Sequence, residues 1–234
     1  MKTGSMKQGD NEMRDTLIET EERESGLVIE YHYDINASNP RDDGNIGTLV
    51  VFHRAYNFGD VDGANYYAEP FSVIEKIAGF SLEEAELASD SAGKEFDAKQ
   101  ARWDIWAKAN ANAVILGVEH SGIRLRTCGV EDGRTGWDSG QVGYIYTTKA
   151  VASENGYDID DADERNDVKD ILKLEIDIMD DYVSGNVYGF VILEDGNPID
   201  GCWGIYDYDY AKRRANEVAI YYESGYLDRW KYSK

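Results

Sequence analysis

Four polar residues have the side-chain types that an acid–base or metal site needs: His53, Asp60, His120 and Asp138. A histidine ends each of two apolar, strand-like runs, LVVFH and VILGVEH. If those strands are neighbours, both imidazoles reach one sheet edge. Joined by Asp60 or Asp138, they would form a His/His/carboxylate metal site or a general acid–base pair. The spacing His53-x6-Asp60 follows no established ligand pattern, and HExxH is absent. The competing structural reading has the histidines bonding backbone groups at strand ends while Arg54 and Asp60 tie a loop. Ser121 follows His120 directly, so on a strand the two side chains face opposite ways and form no nucleophile–base pair. GxSxG, GxxxxGK[ST] and a dinucleotide GxGxxG after a strand are all missing. The glycine-rich run CGVEDGRTGWDSGQVG holds one Arg against three acids, a poor cradle for phosphate. No cofactor is expected. Trp137, Trp203 and Tyr206 could line a small-molecule pocket, but aromatics at strand period more often pack a core.

Charge is the outlier of the composition. The 234 residues carry 46 acids and 24 basic side chains, a net of -22, beside 42% apolar content that supports a core. Such a charge repels nucleic acid and anionic membrane, so direct binding to either is not expected. No apolar run approaches the ~20 residues that span a bilayer, and the first residues lack a secretion h-region. A cytoplasmic protein with reduced Cys128 and Cys202 is the reading that follows. The acids concentrate between Glu154 and Asp181, where twelve stand against three bases, a net of -9. If helical, those 28 residues would carry roughly one acid per 3.5 Å, close to the ~3.4 Å phosphate step of one DNA strand. The ridge residues singled out are Asp160, Asp161, Asp163, Glu164, Asp167 and Asp170, extended by Asp177, Asp180 and Asp181. A solvated face made acidic for solubility is the bland alternative.

The elements that would position these groups follow from hydrophobic period and punctuation. Residues 1–25 read as an acidic flexible tail, since seven acids and two arginines fall between Asp10 and Glu24. Residues 26–234 read as a single domain. LVIEYHYDI after Gly26 alternates as a strand, and IGTLVVFHR gives a second, the two able to form an antiparallel hairpin. NFGDVDGAN is loop by composition. Helices are expected at Phe71–Ala78, from Ser81 with a capping box to Glu84, and over Glu95–Ala111. Strands follow at Ala113–Glu119 and Ile123–Thr127. In WDSGQVGYIYTTK, Val142, Tyr144 and Tyr146 alternate with Gly143, Ile145 and Thr147, and its glycines suggest close passage of another backbone. A short helix spans Thr148–Asn155, and a long one spans Asp160–Ser184 with Gly185 as its cap. A hairpin across DGNP and a helix over Tyr208–Ser224 close the chain. The fold class is α+β, a mostly antiparallel sheet with helices packed against it.

Several segments keep the order of a known pattern: HRAYNFGD, HSG, WDSGQVGYIY, DDYVSGNVYGFVI and CWGIY. Together they resemble a family of uncharacterised proteins encoded by phages and other mobile elements, with HRxYxLGD, WDSGQVGFIYV and D-x-CWGFYG-type motifs. The resemblance covers roughly residues 28–222 and departs from the pattern at Phe58, where Leu is usual. It implies a genetic setting and supplies no activity. In that setting the acidic ridge suggests an inhibitor that occupies the basic groove of a host nucleic-acid-binding defence protein. The alternative is a small-molecule-binding or metal-dependent enzyme working at the His/Asp sheet edge.

Overall fold

A computed structural model of the chain describes residues 16–42, 44–53, 58–67, 69–121, 124–128 and 139–225. It bears out the α+β class, with helices packed on two sheets in which antiparallel pairing dominates. The chain divides into two compact units: Met1–Asn39 with Asp181–Lys234, and Pro40–Asp180. Each has its own sheet and its own buried cluster.

In the first unit the strands β1 (Leu17–Glu22), β2 (Leu27–Tyr33), β8 (Tyr188–Glu194) and β9 (Asn197–Ile205) lie in that order, all antiparallel. Leu27, Ile29 and Tyr31 alternate onto the face that meets Ala211, Ala215 and Ala219 of α7 (Tyr208–Glu223). Alanine at those helix positions lets the helix sit close to the sheet. The β8–β9 hairpin turns on Asp195 and Gly196, both with φ > 0 (51° and 75°), as a two-residue primed turn requires. Asn197 and Pro198 already belong to β9.

Within the described part of the tail Leu17–Glu22 forms a strand, which corrects the flexible reading of those residues. Part of its charge is paired: Arg23 forks onto Glu223 with two 3.1 Å bonds and also reaches Glu21, while Lys212 meets Glu19. Backbone pairing with β2 supplies the order that composition hid.

Tyr31 is almost fully buried and donates to Glu21 at 3.3 Å. Burial first, and then the Glu21 charge, push its phenol from 10.0 up to about 12. An unfolded chain therefore releases this proton earlier than the folded one. The stabilising difference is whole below pH 10 and is lost as pH rises through the folded value. A urea midpoint falling between pH 10 and 12 is expected, with a shallower fall in Tyr31→Phe.

In the second unit the sheet order is β4 (Val61–Asp62), β3 (Thr48–Val51), β7 (Ser139–Thr148), β5 (Ala113–Ser121), β6 (Arg124–Cys128), with only β3–β4 parallel. The expected β2–β3 hairpin does not exist, because the two strands lie in different sheets. The NFGDVDGAN stretch holds β4 and the short helix α1 (Gly63–Tyr66) rather than loop alone. Val50 and Tyr144 pack with Val73 and Ile74 of α2 (Phe71–Ala78) and Ile105 and Ala109 of α4 (Ala98–Asn112). Between them runs α3 (Leu82–Ser91), opened by the expected Ser81/Glu84 capping box. A short α5 (Lys149–Glu154) follows β7, capped by Thr148.

The long helix α6 (Ala162–Ser184) buries Val168, Leu172, Ile176 and Met179. It meets the opposite side of this sheet, where Leu172 and Ile145 both close on Gly47.

Candidate functional site

The four acid–base candidates are not gathered. Asp60 opens β4 beside Leu49, the start of β3, whereas His53 follows the other end of that strand and is half-buried. The backbone of His120 in β5 pairs with Gly140 of β7. Because β7 runs between β3 and β5, His53 and His120 come to the same end of the sheet but two strand spacings apart, ~10 Å. Asp138, Arg54 and Trp137 lie outside the described residues. Among the described residues no group of three or more His, Cys, Asp or Glu side chains is placed to hold a metal ion.

Asp60 instead belongs to a buried ionic latch that sequence reading missed. Arg41 donates from Nε to Asp60 Oδ1 at 3.0 Å and from Nη2 to Oδ2 at 2.6 Å. Its Nη1 reaches Glu175 Oε2 at 2.8 Å, and Nη2 also donates to the Gly47 carbonyl at 2.6 Å. Glu175 in turn accepts from the backbone N–H of Ile46 and Gly47, and Asp60 accepts from Leu49 N–H at 2.7 Å. Burial works to lower the Arg41 pKa, but the bonds from Asp60 and Glu175 outweigh it and hold the guanidinium above its ordinary value. The latch fastens α6 to the chain entering β3. One signal was readable: Glu175 falls in the apolar line Val168, Leu172, Ile176, Met179, and an acid there needs a buried partner. The Arg54–Asp60 tie expected from sequence has Arg41 as its described partner.

The acids counted as a ridge divide into groups with different duties. Asp180 is buried and accepts from Arg124 Nε at 2.9 Å and from the Leu125 backbone N–H, pinning β6 to α6. Asp161 caps α6, accepting from Asp163 and Glu164 N–H at 2.9 and 3.1 Å. Glu164 accepts from Asp158 N–H, and Asp160 pairs with Lys149, whose ammonium it holds above the ordinary value. Asp181 is half-buried and falls to the other unit, where its carbonyl accepts from Asn186 N–H at 2.7 Å.

Asp163, Asp167, Asp170 and Asp177 remain. All four are exposed, and at these spacings they share one stripe of the helix. Among the described residues none of them pairs with a cation. They cover ~21 Å, about one carboxylate per 7 Å, because half of the counted acids turn inward or cap. Leu174, 59% exposed, fills the gap in the same stripe.

Of the aromatics considered, Trp203 lies over Gly189, where an added Cβ would meet its ring at 2.2 Å, and its ring stands 5.8 Å from that of His32. Cys202 beside it is a free, exposed thiol. No described helix is long and apolar enough to cross a membrane. No family model, no curated protein and no solved structure matches the chain.

Proposed function

We propose that this protein is a non-enzymatic inhibitor, encoded by a phage or other mobile element, that fills the basic groove of a host nucleic-acid-binding defence protein. The observation that carries the reading is the unpaired stripe Asp163, Asp167, Asp170 and Asp177 on one face of α6. Its carboxylates stand at axial steps of ~6, ~4.5 and ~10.5 Å, a mean of ~7 Å, so the stripe carries about one negative charge for every two ~3.4 Å phosphate steps of one strand. The net charge of -22 adds long-range attraction to a basic partner and raises the rate of encounter. Leu174 offers an apolar contact inside the charged line. The partner is expected to be a protein evolved to grip a nucleic-acid backbone.

The test is capture of partners from host lysate on the tagged protein, washed at about 0.1 M and then about 0.5 M salt, conditions between which screening shortens markedly. A nucleic-acid enzyme that leaves in the second wash is the expected result. Reversing Asp163, Asp167, Asp170 and Asp177 together to Lys is expected to weaken that capture by about 100-fold or more while the fold persists, since all four side chains are exposed. Capture that ignores both salt and the reversal would sink the reading.

A further inference from the structure

We propose a second binding site, independent of the acidic stripe, in the groove beside the first two turns of α4: a site for a planar ring carrying an anionic group, of mononucleotide size. The groove encloses about 630 Å³, within the range of small-ligand sites. Its apolar surface is aromatic, formed by Phe71, Trp103, Trp106 and Tyr144. Helical spacing explains how α4 serves two purposes. Ile105 and Ala109 face the core, whereas Lys99, Arg102, Trp103 and Trp106 share a stripe about a quarter to a third of a turn away.

Trp103 is 55% exposed, although an indole of that size has much to gain by being covered. Tyr144, nearly buried on β7, forms the floor. Flat faces of this kind stack against any planar ring.

The rim supplies the charge preference. Lys99 and Arg102 stand at the groove, with Arg102 stacked 4.5 Å from the Phe71 ring centroid and 3.5 Å from Glu69. The one acid lining the groove among the described residues, Asp97, is occupied in capping: its Oδ1 accepts from Lys99 and Gln100 N–H at 3.0 and 3.1 Å. The positive end of the α4 dipole adds to the two cations. In a chain of net charge -22, two basic side chains beside four aromatic rings mark the place where an anion with a ring is favoured over a bare anion or a cation. The ring would lie on Trp103 and Trp106, and the anionic group would meet Lys99 and Arg102.

The test is isothermal titration with each of the four ribonucleoside 5′-monophosphates, with adenosine, and with choline, at about 0.15 M salt where long-range repulsion is screened. At least one nucleotide is expected to bind saturably, about tenfold or more tighter than adenosine, and choline not at all. Trp103→Ala and Lys99→Glu should each weaken that nucleotide by about tenfold or more, while Trp103→Phe, which keeps a stacking face, should stay within about threefold. The four-residue Lys reversal on α6 should leave this binding in place, which separates its fate from that of the proposed inhibition. No saturable binding by any nucleotide would overturn the assignment, as would equal binding of adenosine or preferential binding of choline.

Discussion

Arg41→Ala is expected to destabilise the Pro40–Asp180 unit by about 3–5 kcal/mol, the usual result of breaking a buried ion pair from one side. The Arg41 side chain is only 5% exposed and that of Glu175 9%, so solvent does little to screen the charge left on Glu175, while Asp60, 27% exposed, is the better screened of the two. Two carboxylates would then face each other with backbone N–H groups as their only remaining described partners. Glu175→Gln is the milder companion. Its amide oxygen still accepts from Ile46 and Gly47, and the Arg41–Asp60 fork survives, so a loss of about 1–2 kcal/mol is expected. Urea unfolding of the three proteins, followed by circular dichroism, measures both. An Arg41→Ala protein whose midpoint matches the parent would show that the latch holds nothing. Because the latch ties α6 to the chain entering β3, Arg41→Ala should also weaken partner capture in proportion to the unfolded fraction, without touching a charge on the stripe.

Gly143→Ala should be nearly as damaging. A Cβ at this position would stand 2.1 Å from the Val50 carbonyl oxygen and 3.1 Å from its carbon. The obstacle is backbone of β3, paired there through Val51↔Gly143, so no side-chain rotation can relieve it. Separating β3 from the central strand is the available relaxation, with a loss of at least about 3 kcal/mol, the upper end of overpacking. Gly44→Ala is the control, since nothing lies within 4 Å of its added Cβ and its φ is not in the left-handed region. It should stay within about 0.5 kcal/mol of the parent or gain slightly. Equal melting of the two variants would contradict the close approach of β3 and β7.

The segment around Gly143 shows how far local pattern reaches. Its alternation places Tyr144 and Tyr146 toward the α2/α4 cluster and Ile145 toward α6, as the period of a pleated strand dictates. The glycine's need for a neighbouring backbone was also legible, although which backbone was not. The capping box at Ser81 and Glu84 and the cap glycine Gly185 rest on contacts within a few residues and form as expected, whereas the hairpin turn is tighter than the expected DGNP loop, closing on Asp195 and Gly196 alone. The β1 strand was missed for the complementary reason. Its residues have little apolar content, and its order comes from β2 and from Arg23 reaching Glu223, 200 positions away.

The acids of the ridge divide along the same line. Sequence could count twelve acids between Glu154 and Asp181 and place most of them on a helix. It could not tell which carboxylates serve the fold, because that depends on where Arg41, Arg124 and Lys149 arrive in space. Glu175 alone could be suspected, from its place in the apolar line.

By itself, then, the sequence determined most of the secondary elements, their buried faces, the α+β class and the overall charge, since each follows from period, capping chemistry and composition over short spans. Tertiary structure alone decided the partition into two sheets with separate cores, the diversion of Asp60 from His53 to Arg41, and the thinning of the ridge to four exposed aspartates. Those outcomes depend on strand partners and ion partners brought together by long-range pairing, a geometry that no local pattern encodes.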